Sequence, residues 1–261
     1  MDSLISSALL GIIQGLTEFL PISSTGHLIL FEKALQFQGP PGKLFEVVVQ
    51  LGSALAVLCA YFGRLLRPVQ HFSSSPEDRR FFFILSLATI PAAAAGFLFH
   101  DLIKTCLYNS LTVASSLILG GIIFLWIERQ RSVITCHHPE AISARQASWV
   151  GTAQALALVP GVSRSGATIA SGVLVGMSRR AATEFSFLLA VPILLGAGIY
   201  DLFSHRHLLT TDLLSVLSIG FMTAFISSLL VFRPLVNCID RFGFTPFAWY
   251  RIALGLCVLV A

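Results

Sequence analysis

The sequence predicts an all-α polytopic membrane protein with about six full transmembrane helices and two re-entrant helix–loop–helix hairpins, arranged as an inverted-topology repeat. Three observations carry that expectation. Of 261 residues, 55% are hydrophobic and only 11% charged, with a mean hydropathy of +0.82, whereas a soluble domain carries about 25% charged residues. Six apolar stretches have roughly the length of about 20 residues that a helix needs to cross a bilayer. Two further stretches are equally apolar at their flanks but broken in the middle by Pro, Gly, Ser and Thr.

The elements follow in chain order. The segment 4–31 breaks at Leu20-Pro21-Ile22-Ser23-Ser24-Thr25-Gly26-His27, and 149–177 breaks at Pro160-Gly161-Val162-Ser163-Arg164-Ser165-Gly166-Ala167-Thr168. Backbone freed by such breaks is tolerated at membrane depth only where protein or a wet cavity satisfies it. Each segment therefore reads as a re-entrant hairpin, with the second half-helix of the later one beginning near Ala167. Full spans are expected near 45–65, 81–99, 107–127, 185–203, 213–232 and 247–261. The amino terminus, Met1-Asp2-Ser3-Leu4, has no basic leader region, and Gln14 and Glu18 interrupt the apolar stretch behind it, so that stretch is expected to be kept as structure. The whole is a single integral membrane domain, with residues 1–127 as the first repeat half and 149–261 as the second.

Charge fixes the expected orientation. If the segments 64–80, 128–148, 178–184 and 233–246 face the cytoplasm, that side holds Arg64, Arg67, Arg79, Arg80, Arg129, Arg131, Arg145, Arg179, Arg180, Arg233 and Arg241. The other side keeps only Lys33, Lys43, Lys104 and Arg206. Positively charged loops stay inside, so both termini are expected outside, the first hairpin enters from the outer side and the second from the cytoplasmic side. A shift of 140 residues lays Gly11, Gln14, Leu16, Ser23 and Gly26 on Gly151, Gln154, Leu156, Ser163 and Gly166, with Thr25 on Ser165. Each hairpin is also followed by a Glu opening the next span, Phe45-Glu46 and Glu184-Phe185. Opposed broken helices in related halves place a binding site at their junction.

Ionisable groups inside apolar stretches are costly and mark function. Glu46, Glu184 and Arg251 lie near span ends, where snorkelling or structural pairing serves them equally well. Glu18, His27 and Arg164 lie in the two broken hairpins. Arg164 offers a planar fork for phosphate oxygens, flanked by Ser163, Ser165 and, past Gly166, the N–H groups that open the half-helix near Ala167. Glu18 is a hard oxygen ligand for Mg²⁺ or Ca²⁺, Ser23, Ser24 and Thr25 supply hydroxyls, and His27 can move a proton near neutral pH. Gln14 lies four residues before Glu18 and shares its helix face. As a polar staple between helices or as a direct ligand, it and Gln154 fit equally well. This is the equipment of phosphoryl transfer or phosphoanhydride hydrolysis.

The remaining features exclude other classes. Five scattered cysteines encode neither a disulfide framework nor a zinc site. The net charge of +4 contains no dense basic run, so no nucleic-acid partner is implied. No Walker motif or GxGxxG order is present, so no nucleotide is expected. His137-His138 and His205-Arg206-His207 read as solvated loops, and Phe81-Phe82-Phe83 as a lipid-facing or packing surface.

The runs Gly11–Leu28, Phe45–Ser53 and Pro160–Thr168 resemble the undecaprenyl-diphosphatase family, the bacitracin-resistance integral membrane phosphatases of bacteria. The resemblance extends over essentially the whole chain in length, spacing and hydropathy. It implies an inner-membrane enzyme whose site opens to the periplasmic side and which removes the terminal phosphate of undecaprenyl diphosphate with a divalent cation, Mg²⁺ or Ca²⁺. The product is the lipid carrier for peptidoglycan. By matching motifs, Glu18 is implied as the metal-linked carboxylate, Ser24 and His27 as nucleophile or base, and Ser163 with Arg164 as the diphosphate-binding pair. Gln14 stands where many relatives carry a second Glu, so it brings an oxygen without a charge. Whether Ser24 or a water activated by His27 attacks stays open, as does a monomer against a homodimer.

Two rivals share some of these features. A flippase for lipid phosphates would use the same broken helices. The phosphatidic-acid-phosphatase type needs a His six residues after its Ser-Arg arginine, where this chain has Ala170, and is set aside.

Overall fold

The computed structural model describes residues 3–40, 43–99, 102–130 and 133–260. Met1, Asp2, Arg131 and Ala261, which figured in the expected leader region, topology and last span, lie outside them. Among the described residues are eleven α-helices: α1 (Ser3–Thr17), α2 (Ser24–Ala34), α3 (Leu44–Ala60), α4 (Phe62–Gln70), α5 (Pro76–Leu98), α6 (Ser110–Arg129), α7 (Ala144–Leu156), α8 (Arg164–Leu174), α9 (Arg179–Ser204), α10 (Thr211–Phe242) and α11 (Thr245–Val260). Among the described residues there is no strand, only an isolated bridge between Cys136 and Met177.

Helix starts are set by local chemistry. The Ser75 hydroxyl accepts from Asp78 N–H ahead of Pro76 at the head of α5, and Asn109 accepts from Thr112 N–H for α6. Ser143 and Gln146 form a reciprocal capping box for α7. Proline inside α5, α9 and α10 does not end those helices, as membrane helices with packed neighbours allow.

Among the described residues four helices, α5, α6, α9 and the stretch Leu213–Phe242 of α10, are long and apolar enough to cross a membrane. Their outer faces carry Phe97, Leu111, Ile199 and Leu230, each more than 60% exposed, a surface that only lipid solvates cheaply. The other two expected spans differ. The 45–65 stretch bends by 70° at Tyr61 into α3 and α4, where the Tyr61 ring packs edge-on against Phe232 and Arg64 turns to Glu184. The 247–261 stretch becomes α11, 16 residues long, about 24 Å at 1.5 Å per residue against a hydrocarbon core of about 30 Å. Residues 233–242, expected in a connection, continue α10, because apolar Leu235, Val236 and Ile239 are buried in the core along that extra length.

The two broken stretches form pairs of short helices, α1 with α2 and α7 with α8, whose arms pack on each other. None exceeds 15 residues. The α1 arm lies against α10 and the α7 arm against α5, so each broken pair is seated on a long helix from the other half of the chain. These seats are close: a Cβ on Gly15 would stand 2.5 Å from Ala224 O, and one on Gly151 2.6 Å from Ala88 O, the small-residue contact that membrane helices use for backbone approach. Further along, the Glu128 carboxylate at the end of α6 pairs with Arg179 of α9 and accepts from Phe244 N–H, 2.8 Å, ahead of α11. The largest core cluster lies between the broken pairs, with Phe19, Phe187 and Phe232 in mutual contact at ring separations of 4.9–6.4 Å.

Candidate active site

The breaks share one backbone device. Ser23 and Ser163 both adopt positive φ, 68° and 73°, and each caps the helix that follows by accepting from the N–H three residues on, Gly26 or Gly166. Positive φ in a non-glycine residue stores strain and gathers at functional positions. The two serines are 140 residues apart, the shift seen in the sequence. Because Ser163 is the cap, α8 opens at Arg164 and not near Ala167 as expected. Gly166 is pressed between Phe124 and Ser163, where a Cβ would stand at 3.0–3.2 Å.

The first residues of α2 and α8, Ser24 and Arg164, converge on one carboxylate. Ser24 Oγ donates to Glu18 Oε2 at 2.6 Å and Arg164 Nη2 donates to Glu18 Oε1 at 3.3 Å. Gln14 Nε2 donates to Oε2 at 2.8 Å. Glu18 and Ser24 are 7% and 8% exposed. Two helix N-termini, a guanidinium and a hydroxyl thus surround a negative group in a space shielded from bulk water, where such donors act most strongly. Arg164 is held in place by Ser186 O, 3.0 Å from Nη1, and by the Phe19 ring, 5.9 Å away. Ser165 donates to Leu20 O at 2.8 Å, leaving the Ser163 hydroxyl to donate to Ser165 at 3.1 Å, so the second break is pinned to the first.

His27 stands apart from this cluster. Its Nδ1 lies 2.8 Å from Ser23 O, an acceptor only, so Nδ1 carries the proton and Nε2 accepts from the Tyr250 hydroxyl at 2.7 Å. The two rings are stacked 5.6 Å apart. Both imidazole nitrogens are therefore occupied away from Ser24. Thr25, in the first turn of α2, is half-buried and outside the hydrogen-bonded cluster. Gln154 donates to Ala88 O at 3.3 Å, as a staple would. Glu46 pairs with Lys43, and Glu184 with Arg64 and Arg180. His137 and His138 are exposed.

Three buried polar atoms have no partner among the described residues: Gln14 Oε1, Gln154 Oε1 and Arg164 Nε. Two of them belong to side chains that bond Glu18. A buried unsatisfied oxygen and guanidinium nitrogen in one cluster fit a site built to receive a further cation and an anion.

Sequence reasoning did not find Tyr250, Ser186 or Phe19. Tyr250 is an aromatic in an apolar span, and nothing local marks its contact across 223 positions. Ser186 had a faint signal as a small polar residue in an apolar run, and its hydroxyl bonds Thr168 at 2.6 Å.

Fold and site together define a polytopic helical membrane protein with a polar cluster, Gln14, Ser24 and Arg164 around Glu18, at the meeting point of two broken helices. The chain belongs to the family described as bacitracin resistance protein BacA, which it matches over residues 7–257. It is similar to an undecaprenyl-diphosphatase of Nitrosospira multiformis, 47% identical over 98% of this chain and 94% of that one. The undecaprenyl-diphosphatase of Dechloromonas aromatica is 48% identical over 98% and 93%, and undecaprenyl-diphosphatase 3 of Acinetobacter baylyi 48% over 96% and 94%.

Proposed function

We propose that the protein is a membrane phosphatase that hydrolyses undecaprenyl diphosphate to undecaprenyl phosphate and orthophosphate. The observation that carries this reading is the convergence of Ser24 and Arg164 on Glu18. In the proposed reaction Arg164, with the N–H groups opening α2 and α8, takes the diphosphate oxygens. Ser24 Oγ attacks the terminal phosphorus while its proton passes to Glu18. The bond from that phosphorus to the bridging oxygen breaks, and undecaprenyl phosphate leaves with that oxygen. Water then attacks the phosphoserine, one of its protons returns to Ser24, and orthophosphate departs with the proton from Glu18. Glu18 is assigned as base in preference to His27 because it is the group Ser24 already donates to.

A divalent cation, Mg²⁺ or Ca²⁺, would be held by Glu18 and the unpartnered Gln14 Oε1, with phosphate oxygens completing its shell. When bound, it supplies charge neutralisation to the diphosphate. No group of three or more His, Cys, Asp or Glu side chains placed to hold a metal occurs among the described residues. Removal by EDTA is expected to abolish phosphate release and added Mg²⁺ or Ca²⁺ to restore it. Activity unchanged in EDTA would remove the cation from the scheme.

The loop charges and the paired short helices support an inner-membrane orientation with the site reached from the periplasmic side and an inverted repeat whose broken helices are re-entrant. The flippase alternative finds no support in the descriptions of the relatives named above. The assignment of Arg164 is tested with purified Arg164→Ala protein on undecaprenyl diphosphate. Loss of the bidentate fork predicts a fall in kcat/KM of at least about 100-fold, and near-normal turnover would refute it.

A further inference from the structure

Arg251 in α11 is fully buried at 0% exposure, and none of its partners among the described residues is a carboxylate. A guanidinium has five N–H donors. Here it meets five backbone carbonyls: Nε donates to Leu117 O at 3.4 Å, Nη1 to Pro21 O at 3.2 Å and Val162 O at 3.0 Å, and Nη2 to Ser116 O at 3.1 Å and Gly161 O at 3.0 Å. Three of those acceptors are carbonyls released by the two helix breaks. Pro21 lies three residues before Ser24, while Gly161 and Val162 immediately precede Ser163 and Arg164.

The surroundings are shaped for the cation. The Phe124 ring faces the guanidinium carbon at 5.1 Å. Gly120 leaves the space for it, since a Cβ there would collide with Nη2. Gly161 reaches its place with φ +93°, beside Val113 O. A charge taken out of water without a counter-ion is expensive unless dipoles replace its hydration. Simple snorkelling to an interface would leave it half-exposed. Neither cost nor burial is needed for helix packing alone, where an apolar side chain serves.

We propose that Arg251 is a positioning residue for the reaction: it clamps both breaks to α6 and so fixes the distance between Ser24 and Arg164. It touches no reacting atom. The proposal rests on the phosphatase reading above. Lysine in its place keeps the charge but has three donors for five carbonyls, so the breaks can drift while the groups that bind diphosphate remain.

The test is steady-state phosphate release from undecaprenyl diphosphate by wild-type, Arg251→Lys and Gly120→Ala proteins, each first checked for a monodisperse, cooperatively unfolding state in detergent. Expected is a split: kcat lower by about 30-fold or more in folded Arg251→Lys, with KM within about threefold of wild type. Gly120→Ala, which keeps the arginine and displaces its guanidinium, is expected to show the same split more weakly, about tenfold in kcat. A folded Arg251→Lys enzyme with wild-type kcat overturns the clamp. Should Arg251→Lys not fold, Gly120→Ala decides in the same way, and failure of both to fold overturns positioning in favour of a role in folding alone. A wild-type protein that releases no phosphate defeats the phosphatase reading itself, and the clamp with it. Wild-type activity beside an unaffected variant defeats only the clamp.

Discussion

The placement of single side chains at the breaks is decided by contacts between segments far apart in sequence. Ser24 and Arg164 are related by the 140-residue shift, yet one brings a hydroxyl and the other a guanidinium to the same carboxylate. Positions that the 140-residue shift makes equivalent thus carry two different chemistries, a hydroxyl and a guanidinium. His27 was legible as an ionisable group in a Gly/Ser-rich break, but its partner was not, because Tyr250 enters from α11. Tyr250→Phe retains the stacked ring and removes one hydrogen bond, net about 1 kcal/mol. If orientation of His27 supports the step, kcat falls about fivefold with KM unchanged. Wild-type kinetics in that variant would show that the imidazole needs no such anchor.

At the scale of elements, the breaks were readable in the sequence and the bend at Tyr61 was not. Pro21, Gly26, Pro160 and Gly161 advertise their loops through backbone chemistry, whereas the positive φ of the N-caps Ser23 and Ser163 has no mark in residue type. The α3–α4 bend follows from tertiary contacts of Tyr61 and Arg64, which leave no trace in hydropathy, so a single straight span was expected. Glycines at 15 and 151 announced no turn. Their role is close approach, and only the partner helices show it. Gly151→Val is expected to push α7 from α5 and cost about 1–3 kcal/mol, read as a lowered thermal unfolding midpoint in detergent. An unchanged midpoint would mean that the two helices separate without penalty.

Over the whole molecule, the balance of charge separates into two tasks. Arginines at the ends of helices pair with Glu128 and Glu184 and tie the bundle together, while Arg251 is fully buried and Arg164 partly so where the broken helices meet. The helical membrane class and the meeting of Glu18, Ser24 and Arg164 from the two breaks were legible because burial of polar groups in a lipid-solvated chain is rare and therefore informative. Helix lengths and the last span were less so, since hydropathy alone does not report where a neighbour ends a helix. The central claim is that Ser24, hydrogen-bonded to the Glu18 carboxylate that Arg164 also holds, carries out diphosphate hydrolysis. It is tested most directly by orthophosphate release from undecaprenyl diphosphate, comparing purified wild-type protein with Ser24→Ala in the presence of Mg²⁺ or Ca²⁺. The account predicts one orthophosphate per lipid from the wild type and a loss of at least about 1,000-fold in the variant. Turnover by Ser24→Ala at the wild-type rate, or no release by either protein, would contradict it.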